Sequence, residues 1–151
     1  MDHEQIPESH EGNELNLDQI SPKFLQMLYP NELMALAAKG NADAEAALGD
    51  RLSSEAGELL YWHNKSADCP PIDCYPKLIE ASVAWYRLAA KHGSIYGMAQ
   101  LANALSGPDA TPTELTEAKY WAEIALSQGE KSAAETVAHI ATALMKSKKT
   151  A

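Results

Sequence analysis

Apolar positions along this chain recur with the period of amphipathic helices, and three such stretches break at a glycine. The first carries Leu36, Ala37 and Ala38 to Gly40 and resumes with Ala42, Ala44, Leu48 and Gly49. The second carries Trp85, Tyr86, Leu88, Ala89 and Ala90 to Gly93 and resumes with Ile95, Gly97, Leu101 and Ala102. The third carries Trp121, Ala122, Ala125 and Leu126 to Gly129. It resumes with Ala133, Val137 and Ala138, Lys131 being the polar exception. Segments this alike around a fixed turn mark a stacked helical array, in which each unit completes the core of its neighbour.

Start and stop signals divide the array into hairpins. Ser21-Pro22 opens a short leading turn with Phe24, Leu25 and Leu28, which stops before Pro30. Asn31 can cap a helix over 32–39, and a partner helix from Ala42 to Ser53 places Ala44, Ala47, Leu48 and Leu52 on one face, giving a first hairpin over 31–53. The second hairpin spans 77–106. Its first helix has apolar residues on two sides, with Ile79, Val83, Tyr86 and Ala90 beside Leu78, Trp85 and Leu88, as a helix flanked by two neighbours requires. Gly107-Pro108-Asp109 forms the next turn. The third hairpin, 112–145, has the clearest start: Thr111-Pro112-Thr113-Glu114 offers a capping threonine, a first-position proline and a glutamate three residues after the cap.

Spacing between the corners is uneven. Gly40 and Gly93 lie 53 residues apart, against 36 for Gly93 and Gly129, a surplus of 17 residues. Residues 54–76 hold three prolines and three aromatic side chains, and the sequence predicts an irregular inserted loop there. Long loops in compact domains tend to be functional. Residues 1–20 read as a flexible acidic tail, 21–146 as the helical repeat domain and 147–151 as a frayed basic end.

Composition supports an all-α fold. Twenty-six residues are alanine, the strongest helix former, whereas Val83 and Val137 are the only valines and Phe24 the only phenylalanine. The formal charge is −9, and Asp2, Glu4, Glu8, Glu11, Glu14 and Asp18 precede the first basic side chain, Lys23. Those six aside, 15 acidic side chains face 12 basic ones. Clustered cations are confined to Lys146, Lys148 and Lys149, which suit the negative end of the last helix, so nucleic acid is not the expected partner. No apolar run approaches the roughly 18 residues of a membrane span, and the first residues lack the basic-then-apolar pattern of a secretory leader. The expected compartment is the cytoplasm, with Cys69 and Cys74 as reduced thiols; a disulfide between them would compete only after export.

The pattern Trp85-Tyr86-Arg87-x-Ala89-Ala90-x-x-Gly93, and Ala42-Asp43-Ala44-x-x-x-Leu48-Gly49 after Gly40, resemble Sel-one-like repeats, relatives of tetratricopeptide repeats. The resemblance covers roughly residues 30–145 outside the loop 54–76. The third unit keeps Trp121, Ala125 and Gly129 but has Ala122 and Leu126 where the pattern asks for tyrosine and alanine. The first lacks the aromatic pair. This resemblance implies a right-handed α-α superhelix of about three antiparallel hairpins, with a concave face that binds proteins or peptides. Bacterial proteins of the family include scaffolds, host-interaction factors and inhibitors of secreted toxins.

Candidate chemistry is sparse. His63, Cys69, Asp73 and Cys74 have metal-ligand side chains, but four residues separate the cysteines and no second pair completes a zinc site, so no cofactor is expected. No phosphate-cradling glycine loop, metalloprotease helix or nucleophile motif occurs, and the chain is not expected to be an enzyme. A metal- or cysteine-dependent activity is the remote alternative. Trp85, Tyr86 and Trp121 read as packing residues, and His92 and His139 as helix-end or surface residues without a carboxylate partner nearby in sequence. Tyr61, Trp62 and Tyr75, with His63 and Asp73, fall outside the repeat and form the candidate partner surface, since aromatics supply much of the energy at interfaces. Arg51, Arg87, Tyr96 and Asn103 are candidates for the concave face. The expectation is a non-catalytic adaptor that binds another protein through that face and loop 54–76, itself a monomer or weak dimer. A narrower alternative is an immunity protein that neutralises a secreted bacterial toxin, such as a type VI secretion effector.

Overall fold

A computed structural model of the chain describes residues 25–65 and 74–150. Among the described residues six helices occur and no strand: α1 (Pro30–Ala38), α2 (Ala42–Lys65), α3 (Cys74–Lys91), α4 (Ile95–Leu105), α5 (Pro112–Ser127) and α6 (Ala133–Thr150). They pair in sequence as α1/α2, α3/α4 and α5/α6, and each hairpin packs on the next through α2 against α3 and α4 against α5. The second helices also meet across the stack, α2 touching α4 and α4 touching α6. No described helix is long and apolar enough to cross a membrane.

The three corners are copies of one another. Gly40, Gly93 and Gly129 have φ of 92°, 95° and 98°, a left-handed conformation that costs other residues about 1–2 kcal/mol. At each corner the glycine N–H donates to the carbonyl three residues back (Ala37, Ala90 or Leu126). The next N–H donates to the carbonyl five back (Leu36, Ala89 or Ala125), with all six bonds between 2.9 and 3.1 Å. This pair of bonds satisfies the last carbonyls of the first helix and reverses the chain. The return helices are then capped locally. Asn41 Oδ1 accepts from the Ala44 N–H, and Ser94 Oγ from the Gly97 N–H, each at 2.9 Å. α5 starts at the expected box: Thr111 Oγ1 accepts from the Glu114 N–H while Glu114 Oε1 accepts from the Thr111 N–H.

Burial follows the helical faces. One apolar cluster joins Leu33, Ala44 and Leu48 to Leu25 and Leu28 of the leading turn; a second runs through the other two hairpins from Tyr86 and Leu101 to Ala122 and Ile140. Trp85 of α3 packs against the first cluster while Tyr86 beside it belongs to the second, so adjacent aromatics tie the hairpins together. A large apolar side chain placed this way contributes about 1.5–3 kcal/mol.

Four boundaries differ from the sequence-based expectation. Residues 54–65, predicted as part of an irregular loop, continue α2, and α3 begins at Cys74 rather than 77. What remains of the inserted loop lies in 66–73, outside the described residues. Residues 54–65 contain no proline, Glu55, Ala56, Glu58, Leu59 and Leu60 are strong helix formers, and Ala56 is fully buried. Pro76 sits in the first turn of α3, where a missing N–H removes no intrahelical bond. α1 starts at Pro30, one turn-position earlier than an Asn31 cap would allow; Glu32 Oε1 accepts from the Tyr29 N–H at 2.9 Å instead. α6 runs through 147–150, the segment expected to fray. The tail 1–20 and Ser21-Pro22 lie outside the described residues.

Candidate functional site

Among the described residues Asp50, half-buried in the first half of α2, gathers hydrogen bonds from several elements. Its Oδ1 accepts from Tyr86 Oη at 2.6 Å and Gln100 Nε2 at 3.1 Å; its Oδ2 accepts from Tyr96 Oη at 2.7 Å and Gln26 Nε2 at 2.5 Å. One carboxylate therefore links the leading turn, α2, α3 and α4. Burial first, then the hydrogen bond and negative charge of Asp50, push the Tyr86 and Tyr96 phenols above their usual range, which keeps both as donors. Gly49 makes room for this arrangement: a Cβ there would lie 2.6 Å from Tyr86 Cε1. Ser82 Oγ donates to the Gly49 carbonyl at 2.7 Å from the same side.

Neighbouring polar groups are also spent between elements. The Arg51 guanidinium donates to the carbonyls of Gln26 and Leu28, the first at 2.6 Å, and clamps the leading turn onto α2. Arg87 forms a two-pronged pair with Glu117, Nε to Oε2 at 2.9 Å and Nη2 to Oε1 at 3.0 Å, joining α3 to α5. That pair holds the Glu117 carboxyl below its ordinary range. Asn103 Oδ1 accepts from Thr136 Oγ1 at 2.8 Å, joining α4 to α6. His92 Nδ1 lies 2.7 Å from Oε1 of the buried Glu45. His139 Nε2 lies 3.0 Å from the Ser106 carbonyl.

Four of the sequence-predicted site residues, Arg51, Arg87, Tyr96 and Asn103, thus carry contacts between turns and helices of the chain itself. Tyr61 stands in the last turn of α2 at the surface, 56% exposed, and Tyr75 is half-buried at the start of α3. Trp62 and His63 belong to α2, with side chains outside the described part; Asp73 and Cys69 lie outside the described residues.

Beside the first two glycine corners the hairpins leave a cleft of about 470 Å³, lined by Asp43, His92, Ser94, Ile95, Tyr96 and Glu130 among others. Ser94 Oγ donates to Asp43 Oδ1 at 2.6 Å across its floor. Its lining carries two carboxylates and no lysine or arginine. Among the described residues, no three His, Cys, Asp or Glu side chains converge as a metal site.

Sequence reading missed Asp50, Gln26, Gln100 and the His92–Glu45 pair, whose partners lie 24 to 50 residues apart along the chain. A signal was present nonetheless. The tenth residue past each corner is polar in all three units (Asp50, Asn103 and His139), and each bonds to another element. No protein-family model matches the chain, nor does any curated protein or solved structure.

Proposed function

We propose that this chain is a non-catalytic interaction module of the Sel-one-like kind, whose stacked hairpins form a superhelix that presents a partner-binding surface. The observation that carries this reading is how the polar groups are used. The carboxylate, phenols and guanidiniums that could perform chemistry are engaged in holding hairpins together, while large apolar side chains such as Leu60 and Tyr61 stay at the surface. Rigid helices with surface aromatics suit recognition, because little conformational freedom is lost on binding. The partner is a protein that meets the distal end of α2, with Tyr61 and Trp62, and offers a lysine or arginine side chain to the corner cleft.

Alanine at Tyr61 and Trp62 together should weaken capture of the partner from a native lysate while the helical circular-dichroism signal stays unchanged. Full capture by that variant removes this end of α2 from the mechanism. The net charge of −9 favours one narrower form, an immunity protein that neutralises a basic secreted toxin. Co-expression with the toxin encoded beside it should then protect cells, and lack of protection would end that form.

A further inference from the structure

On the first helix of each hairpin, the side that meets the preceding hairpin is marked by the residues eleven and eight before the corner glycine. In α3 these are Ser82, 2% exposed and bonded to the Gly49 carbonyl of α2, and Trp85, packed on the first cluster. In α5 they are Ala118, fully buried, and Trp121, packed on the cluster that includes Leu101 and Leu105 of α4. In the first hairpin they are Tyr29, 74% exposed, and Glu32, also exposed. Met27 and Met34, on either side in sequence, are 77% and 49% exposed. Among the described residues, a junction that is filled twice is thus open at the front of the first hairpin, where large apolar side chains face outward.

We propose that residues 15–24 of the chain itself cover this front at Met27 and Tyr29 and close the array with a polar outer side. In both internal junctions the covering helix is the stretch of chain that runs into the next first helix: α2 lies on α3, and α4 on α5. Residues 15–24 run into α1 in the same way. Their point of entry is fixed, because Leu25 is fully buried with Leu33 and Arg51 binds the carbonyls of Gln26 and Leu28. Their composition fits the task. Of the six large apolar residues among the first 24, Leu15, Leu17, Ile20 and Phe24 fall in this stretch, with Met1 and Ile6 elsewhere. Asn16, Asp18 and Gln19 lie between them and supply the polar exterior that a terminal unit needs. Reach is ample: the five residues from Ile20 to Leu25 span up to about 17 Å, whereas the seven from Tyr29 to Leu36 rise about 10 Å. A tethered segment also outcompetes a second copy or another protein, since its effective concentration at the front is on the order of millimolar.

Hydrogen peroxide oxidation of the 151-residue chain, followed by peptide mass spectrometry, reads the cover at Met27, with the exposed Met145 as internal reference. Met27 should oxidise about threefold or more slowly than Met145, because oxidation follows exposure. Leu17→Asp with Ile20→Asp should bring the two rates together, since a carboxylate is not buried against Met27 and Tyr29 without a partner. Ile6→Asp, outside the covering stretch, should leave the difference intact. The helical circular-dichroism signal should persist in both variants, as neither alters the six helices. Equal rates in the unaltered chain overturn the proposal, and so does protection that survives Leu17→Asp with Ile20→Asp or is lost equally with Ile6→Asp. Protection that grows with protein concentration assigns the front to a second copy and overturns it too. Partner capture through Tyr61 and Trp62 is read separately.

Discussion

Two glycines of α2 should respond in opposite ways to the same added methyl group. At Gly57 a Cβ would meet nothing within 4 Å, so Gly57→Ala should gain the helix-propensity difference and stabilise the fold by about 1 kcal/mol. At Gly49 the methyl would press on the Tyr86 ring, which cannot swing aside because it is buried and its hydroxyl is bound to Asp50. Overpacking of this kind costs about 1–3 kcal/mol, enough to outweigh the propensity gain. Urea unfolding of the two variants tests the packing directly, and equal stabilisation by both would mean the ring is not seated on Gly49. The same tyrosine gives the fold an alkaline limit. Its phenol and that of Tyr96 have folded-state pKa values raised above the unfolded one, so the folded protein holds protons that the unfolded chain releases. Their contribution is complete below the unfolded phenol value of about 10 and is lost as pH rises towards the folded values. The urea midpoint should therefore fall above about pH 10, and Tyr86→Phe with Tyr96→Phe should flatten that decline. An unchanged pH profile in the double variant would show that the phenols do not depend on Asp50 and burial as described.

Between helices, the contacts differ in how much they should matter. The capping box at the start of α5 satisfies two backbone donors that have no partner within the helix, and Thr111→Ala should cost about 1 kcal/mol by denaturant unfolding. The Arg87–Glu117 pair has better geometry than most ion pairs, yet each side chain is about a third exposed. Arg87→Ala should therefore cost less than about 1 kcal/mol at moderate salt. Glu117 loses its part of that pair as pH falls through its lowered pKa, so the difference between wild type and Arg87→Ala should shrink in acid. A much larger loss at neutral pH would indicate that Arg87 supports more than one inter-hairpin contact. These elements also show what the chain reveals before folding. Thr111, Pro112 and Glu114 act within one turn, and Gly40, Gly93 and Gly129 each adopt the conformation that glycine alone takes without strain, so both signals could be read directly. The extension of α2 to Lys65 could not. Its middle is polar and carries Gly57 and paired serines, and Ala56 is held by packing, a tertiary effect that local propensity does not contain. Asp50 escaped for the same reason: its four donors come from three segments that meet only after the hairpins stack.

Stacking also distributes stability along the array. Each hairpin borrows part of its core from the next, so the α3/α4 hairpin, flanked on both sides, is supported twice. Trp85 reaches into the first cluster, Leu101 and Leu105 into the second, and Asp50 binds the hairpin through Tyr86, Tyr96 and Gln100. The end hairpins have one such neighbour among the described residues, though α1 gains the leading turn through Leu25, while Ala134, Ala138, Ala141 and Met145 on α6 stay exposed. Native-state hydrogen exchange should therefore rank the backbone amides of α3 and α4 as slowest. The exposed side of α6 should be the first to open, and α1 should lie between. Uniform protection across all six helices would mean that the hairpins fold as one indivisible unit, and nearest-neighbour coupling would then no longer explain why the middle of the chain carries the densest set of bridging side chains.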